Sequence, residues 1–472
     1  MMGKRFCFHP ITRIEGHAKV SLSLNEDNHV TDAIFQVLEF RGFERFMRGR
    51  QLVEAPLITP RICGLCSPSH HLASVKAVES AMDVDISSPS RKLREIVHLA
   101  GLLHSHLLHF FLLYSPDILL SDLSPEKRGF PELLKRHAPV VKTALTIRGF
   151  ARRLLEVLGG SSIHPSAAVP GGFSKPLEHE VRIGLYERCK EILQLFMDLV
   201  SSLEGSVIAH INAYTSFPSN FLSLSSPSGL PLYDSDRITA QDSDGSEIIS
   251  FEPAKYFDYI GERVVSWSYA KMPYIKLLGY PDGSYRVGPL ARLNINKNLG
   301  SDFSMWLMRT FHLDADNPTV NTRSYNAARL VEIAYALERL RDLLDDAALE
   351  RPTLPTGRLR FISDEGIGVV EAPRGTLIHH FKIDDEGCIT DANLVVATVQ
   401  NIPVINEEIK RLAERIIVED GLSELRLYGA ISTLIRDYDP CLSCSTHSFG
   451  FPLRLEIYNS DGTLVESFPK NL

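Results

Sequence analysis

The stretch RICGLCSPSHH, residues 61–71, sets Cys63 and Cys66 three positions apart, and DPCLSCSTH, residues 439–447, repeats the device with Cys441 and Cys444. Four thiols in two Cys-x-x-Cys pairs are a ready set of soft donors for a transition metal. Spacing alone makes a structural zinc site the first reading. A thioredoxin-like disulfide is a weaker rival, because neither pair follows a strand and opens a helix in a short βαβ unit. The wide separation of the pairs weighs against zinc, since zinc ribbons and knuckles carry both pairs within one small module. Arg and Gly frame the first pair, and Asp-Pro and a trailing His frame the second, more chemistry than an inert metal clip needs.

The rest of the composition bounds the answer. The chain has 472 residues, 44% hydrophobic and 23% charged, with a formal net charge of −8. That is the make-up of a soluble globular protein with a sizeable core. The charge supplies no electrostatic reason to expect nucleic acid or anionic lipid as a partner. Seven cysteines in this length are no disulfide framework. A metal or redox role in a reducing compartment fits them better. The opening MMGKRFCFHPITRIEGH lacks the apolar core of a secretory signal. The run LAGLLHSHLLHFFLLYSPDILL, Leu99 to Leu120, carries three histidines and is broken by Pro116-Asp117. It reads as a buried core helix, with no direct membrane insertion.

Alternation of apolar and polar residues from Ala18 to Leu38, around Asn25-Glu26-Asp27-Asn28, predicts a hairpin. Helical periodicity predicts helices over 70–82, 91–114, 141–158, 178–214, 323–346 and 406–418. Gly/Pro-rich segments at 159–172 and 279–292 read as loops. A second β-rich patch spans 358–398, turning at Asp384-Asp385-Glu386-Gly387. The expected fold is mainly α with small β additions. Residues 1–447 form one catalytic domain in this reading, and 448–472 an extension.

Further motifs accompany the cysteines: Thr12-Arg13-Ile14-Glu15-Gly16-His17, Phe40-Arg41-Gly42-Phe43-Glu44 and Glu371-Ala372-Pro373-Arg374-Gly375. With RICGLC, His70 and DPCLSCSTH, they resemble the large, catalytic subunit of nickel–iron hydrogenases, in the family's order and across nearly the whole chain. The resemblance implies a helical core around a buried bimetallic site that reversibly splits dihydrogen into protons and electrons. It implies Cys63 and Cys441 as terminal nickel ligands, with Cys66 and Cys444 bridging nickel to iron. The iron would carry carbon monoxide and cyanide.

The same resemblance assigns the remaining roles. Cys441 is the candidate base for the proton, and Glu15 the gate that relays it; the bland reading of Glu15 is a salt bridge to Arg13 or Lys19. Arg374 would place its donor fork over the open side of the metal pair. Thr398 would hydrogen-bond a diatomic ligand, although Ala397 and Gln400 depart from the family's usual pattern there. His70 would hydrogen-bond a ligand sulfur. Glu44, the carbonyl of Leu394 and His447 would hold a magnesium or iron ion near the C-terminus; Glu44 reads equally as a solvated helix charge. His104, His106 and His109 do not share one helical face and read as core residues.

Residues 448–472 have two readings: a genuine β-hairpin around Asn459–Gly462, or an extension removed after nickel insertion by a maturation endopeptidase acting with nickel-insertion factors. Too few cysteines remain for an iron–sulfur cluster. The resemblance therefore implies that the partner is an iron–sulfur small subunit, with further flavin or electron-transfer subunits. The spelling HSHLLHF, 104–110, leans towards the cytoplasmic branch. The alternatives are a zinc-stabilised scaffold and a complex-I-like relative, which generally lacks the four ligand cysteines.

Overall fold

Proline marks where three of the long helices begin. In the computed structural model, Pro68, Pro89 and Pro139 stand in the first turns of helices Ser67–Met82, Ser88–Leu108 and Ala138–Gly159. Proline has no N–H to lose there and a φ already suited to the helix, so each helix starts a few residues before its apolar periodicity. The structure describes residues 4–214, 216–351, 354, 359–447, 455–458 and 464–468.

Helices His179–Asn212 and Ser324–Asp345 follow the periodic segments closely. Helix Ala397–Asp420 starts well before the predicted position and runs through Pro403; a proline usually ends a helical pattern, which is why the sequence places the start beyond it. Helix Glu424–Tyr438 is an addition. The apolar run near residue 110 continues from Ser88–Leu108 through a π-helical turn, His109–Tyr114, into Ser115–Leu119. Its hydrophobic window is 83% buried, as expected of a core helix. Ser88–Leu108 packs on Ala138–Gly159 and Ser324–Asp345, which in turn packs on His179–Asn212.

The β additions are larger than the sequence indicates. The predicted hairpin forms, Ala18–Leu24 against Val30–Val37, with Arg5–Phe8 added at its edge. The 358–398 patch gives an antiparallel sheet of Glu365–Ala372, Gly375–Ile383 and Ile389–Val395. This sheet lies directly on helix Ser67–Met82: a Cβ at Gly366 would stand 2.1 Å from the Ala77 carbonyl oxygen, and one at Gly368 2.0 Å from that of Ala73. Only glycine allows backbone to approach this closely. A four-stranded sheet built on Asn220–Ser225 and a hairpin of Ile260–Val265 with Ser268–Ile275 are not anticipated by the sequence. In the tail, Leu455–Tyr458 pairs with Leu464–Phe468, while the turn predicted at 459–462 lies outside the described residues.

Candidate metal centre

Two different local structures present the four thiols. Cys63 is extended, directly after the 3-10 turn Thr59–Ile62, and Cys66 is the N-cap of helix Ser67–Met82. Helix Glu424–Tyr438 stops at Asp439, which takes a left-handed conformation, and Pro440 cannot continue it. Cys441 is therefore extended, and Cys444 sits on the single turn Leu442–Ser445.

The pairs meet. All four sulfurs lie within 4.8 Å of one another, with Cys63 Sγ 3.2 Å from Cys441 Sγ and Cys441 Sγ 3.1 Å from Cys444 Sγ. None is more than 5% exposed. Hydrogen bonding from Cys441, with Cys444 and Cys66, holds the Cys63 thiol well below its ordinary pKa. Burial pushes Cys441 and Cys444 well above theirs. Negative charge on several sulfurs buried this close together is unfavourable unless a cation shares it, and four thiolates around a cation make a metal cradle.

Charged and polar side chains flank the sulfurs. Arg374 Nη1 donates to Cys66 Sγ at 3.2 Å and to Ser105 Oγ at 3.2 Å. Its Nε and Nη2 donate to the carbonyl and carboxylate of Asp439 at 2.6 and 2.8 Å. Burial opposes the Arg374 charge, yet Asp439 and the cysteines outweigh it and raise its pKa well above the ordinary value. On the other side, the Cys441 thiol donates to Glu15 Oε2 at 3.2 Å, and Ser443 N–H donates to the same oxygen at 2.9 Å. Leu442 N–H donates to the Glu15 carbonyl at 3.1 Å. Cys441 N–H donates to Thr398 Oγ1 at 3.0 Å.

His70 Nε2 lies 3.5 Å from Cys444 Sγ. Its Nδ1 is 3.0 Å from His379 Nε2, and His379 Nδ1 is 2.8 Å from Ser74 Oγ, which is 2.8 Å from Thr59 Oγ1. Burial lowers His70 to about 4 and His379 well below the usual imidazole range. Sequence reasoning misses His379, although its position offers a signal. It alternates in phase with Leu377 and Phe381 on strand Gly375–Ile383, an inward polar residue on an apolar face.

Glu44 and His447 are also neighbours, Oε1 to Nε2 at 3.7 Å. Leu394 meets Glu44 through its N–H, at 3.0 Å, and Lys271 Nζ is 3.2 Å from the same oxygen. A cationic side chain thus already faces this carboxylate. Arg41, which in the sequence resembles a solvated charge, donates to Thr446 Oγ1 at 2.9 Å, to the Ser443 carbonyl at 2.6 Å and to the Ile62 carbonyl, lacing the two cysteine loops together. His104, His106 and His109 go to separate partners: Arg148, Glu332 and the Arg436 carbonyl. Among the described residues, only the four cysteines group as possible metal donors.

The sequence pattern of a family described as nickel-dependent hydrogenase matches residues 41–120 and 232–447, and a pattern described as HoxL-like matches 7–40. The chain belongs to the nickel-dependent hydrogenase family. It is a catalytic large subunit, and its cysteine cluster is a nickel–iron site of that family. It is 36% identical to a subunit of the F420-non-reducing hydrogenase of Methanothermobacter thermautotrophicus, over 98% of this chain and 99% of that protein. Identity to the NAD-reducing hydrogenase HoxS subunit beta of Cupriavidus necator is also 36%, over 98% and 99%. A crystal structure of an NAD+-reducing [NiFe]-hydrogenase in the H2-reduced state superposes with a TM-score of 0.88 at 36% identity, covering 95% of this hydrogenase chain and all of that one.

Proposed function

We propose that Cys63 and Cys441 would hold nickel, that Cys66 and Cys444 would hold beside it an iron with carbon monoxide and cyanide, and that Glu15, through Cys441, and Arg374, through Cys66, serve this pair. The observation that carries the reading is the convergence of four buried sulfurs with a carboxylate on one and a guanidinium on another. When bound, the metals supply the site at which dihydrogen is split heterolytically. The chain's own residues do the rest. Cys441 takes the proton at its sulfur, and Glu15, in hydrogen-bond contact with that sulfur, passes it outward. Arg374 brings a fixed, buried positive charge beside the sulfurs and has one Nη2 hydrogen left over from its bonds to Cys66, Ser105 and Asp439 to offer an anionic ligand such as cyanide. Thr398 holds the Cys441 backbone through its hydroxyl oxygen, leaving its own O–H for a diatomic ligand. His70 tunes the charge on Cys444.

Glu44 and His447 would hold magnesium, with the Leu394 carbonyl completing the protein ligands once Lys271 yields its place beside the carboxylate. The electrons leave through an iron–sulfur small subunit to further electron-transfer subunits in the cytoplasm. We further assign residues 448–472 to an extension cut after His447 by a maturation endopeptidase once nickel-insertion factors have loaded the site. The end of the family match at residue 447 supports that assignment.

Metal analysis of the purified complex tests the centre: one nickel per mature chain is expected, and stoichiometric zinc without nickel would refute it. Magnesium should be present in the same preparation and fall in Glu44→Gln. Mass spectrometry should find His447 as the last residue; active enzyme ending at Leu472 would overturn the processing assignment.

A further inference from the structure

Arg292, on helix Pro289–Ile295, is fully buried and belongs to none of the motifs above. Its Nε and Nη2 fork onto both carboxylate oxygens of Glu332, at 2.6 and 2.7 Å. Nη1 reaches Glu371 Oε2 at 2.9 Å. The two remaining donors go to backbone: Nη1 to the Ala372 carbonyl at 2.9 Å and Nη2 to the Pro373 carbonyl at 3.2 Å. All five N–H groups of a guanidinium are thereby used. Glu371 is fixed in turn by Leu224 N–H at 2.8 Å and Thr376 Oγ1 at 2.7 Å, and Glu332 lies 2.7 Å from His106 Nε2.

The gripped peptide, 371–373, ends at Arg374. Pro373 has a nearly fixed φ, so holding the two carbonyls before Arg374 fixes where its Cα stands. Burying one guanidinium and two carboxylates is costly, and such clusters are seldom the cheapest route to stability. We propose that Arg292 is a positioning residue that sets the Arg374 guanidinium against Cys66 by clamping the backbone on its N-terminal side. This rests on the role given to Arg374 above.

The test uses the complete enzyme with its partner subunits and compares Arg292→Lys, Arg374→Lys and Arg94→Lys. Lysine keeps the charge but cannot reproduce the fork. Arg94 is the control: it is equally buried and forks onto Glu79 at 2.6 and 2.9 Å while binding the Val169 and Gly172 carbonyls, with none of these partners in the metal centre. Turnover per nickel, the infrared stretching bands of carbon monoxide and cyanide, and the melting temperature are read for each.

Arg292→Lys is expected to shift the bands in the direction seen for Arg374→Lys and to lower turnover per nickel ~10- to 100-fold, the scale of a small misplacement at a reacting centre. Arg94→Lys should lower only the melting temperature. If Arg292→Lys melts earlier with unchanged bands and turnover per nickel, the clamp is purely structural and the inference falls. If Arg374→Lys is itself silent, the reading of Arg374 fails instead. Should Arg292→Lys not accumulate, Glu332→Gln loosens the fork from its far side; unchanged bands there overturn the proposal equally.

Discussion

Cys63 and Cys66 sit between a 3-10 turn and a helix buried under a sheet, with Arg374 on Cys66 and Arg41 on the Ile62 carbonyl as side-chain ties, whereas the loop of Cys441 and Cys444 collects side chains from more parts of the molecule. Glu15, Arg41, Thr398 and Arg374 each bond a residue between 439 and 446. The first pair is thus presented mainly by local structure, and the second mainly by tertiary contacts from distant parts of the chain.

The largest effect should come from the sulfur that touches both pairs. Cys441→Ser is expected to abolish hydrogen uptake; a purified variant with full activity would remove Cys441 from the ligand set. Glu15→Gln keeps an oxygen for Ser443 N–H but cannot accept a proton from the sulfur. Proton exchange should fall ~100-fold or more, as for loss of a general base, with nickel content unchanged. Wild-type exchange would end the gate assignment.

Acid and base should act on the two sides with opposite sign. Around the first pair, burial holds His70 and His71 at about 4, below the ordinary imidazole value near 6.5. Unfolded histidines bind protons first, so stability is lost as pH falls from about 6.5 towards 4. Behind the second pair, burial raises Asp437 to about 7. The folded state then holds that proton more tightly, and stability is lost as pH rises from about 4 to 7. Denaturant titrations at pH 5 and pH 8 should show His71→Gln gaining on the parent at the lower pH and Asp437→Asn gaining at the higher. Parallel curves for parent and variants would show that neither burial is felt.

A smaller effect is expected at the seam between Glu15 and the second pair. Gly16 has φ +80°, and a Cβ there would stand 2.8 Å from Leu442 Cβ. Gly16→Ala should cost about 1–3 kcal/mol in stability and reduce proton exchange through Glu15, while nickel content is retained. Unchanged melting would show that the 442–443 backbone yields freely.

Much of this is legible in residue order. The four cysteines, Glu15, His70, Arg374, Glu44 and His447 stand out by motif, Thr398 less so; the structure sets Glu15, His70, Arg374 and Thr398 against the cysteines and Glu44 beside His447. The six long helices announce themselves through apolar spacing, because burial of one face is a local requirement. The sheet at 220–286 escapes notice because its strands are only two to six residues long, and its edge strand Tyr285–Arg286 pairs with Asn220–Phe221 far back in the chain. Arg41 escapes because an arginine beside other charges resembles a solvated one until its acceptors, three backbone and side-chain oxygens from two loops, are in view. His379 and Lys271 likewise acquire meaning only through what lies opposite them.

Taken by itself, the order of residues determined which donor atoms this hydrogenase chain possesses and which segments coil, since both follow from side-chain chemistry and near-neighbour spacing. Only the folded chain decided that Cys63 and Cys441, 378 positions apart, stand 3.2 Å from each other, and that Leu394 turns its N–H towards Glu44. Such distances are set by how helices and sheets pack around a common core, and packing is a property of the whole polypeptide that no stretch of it carries alone.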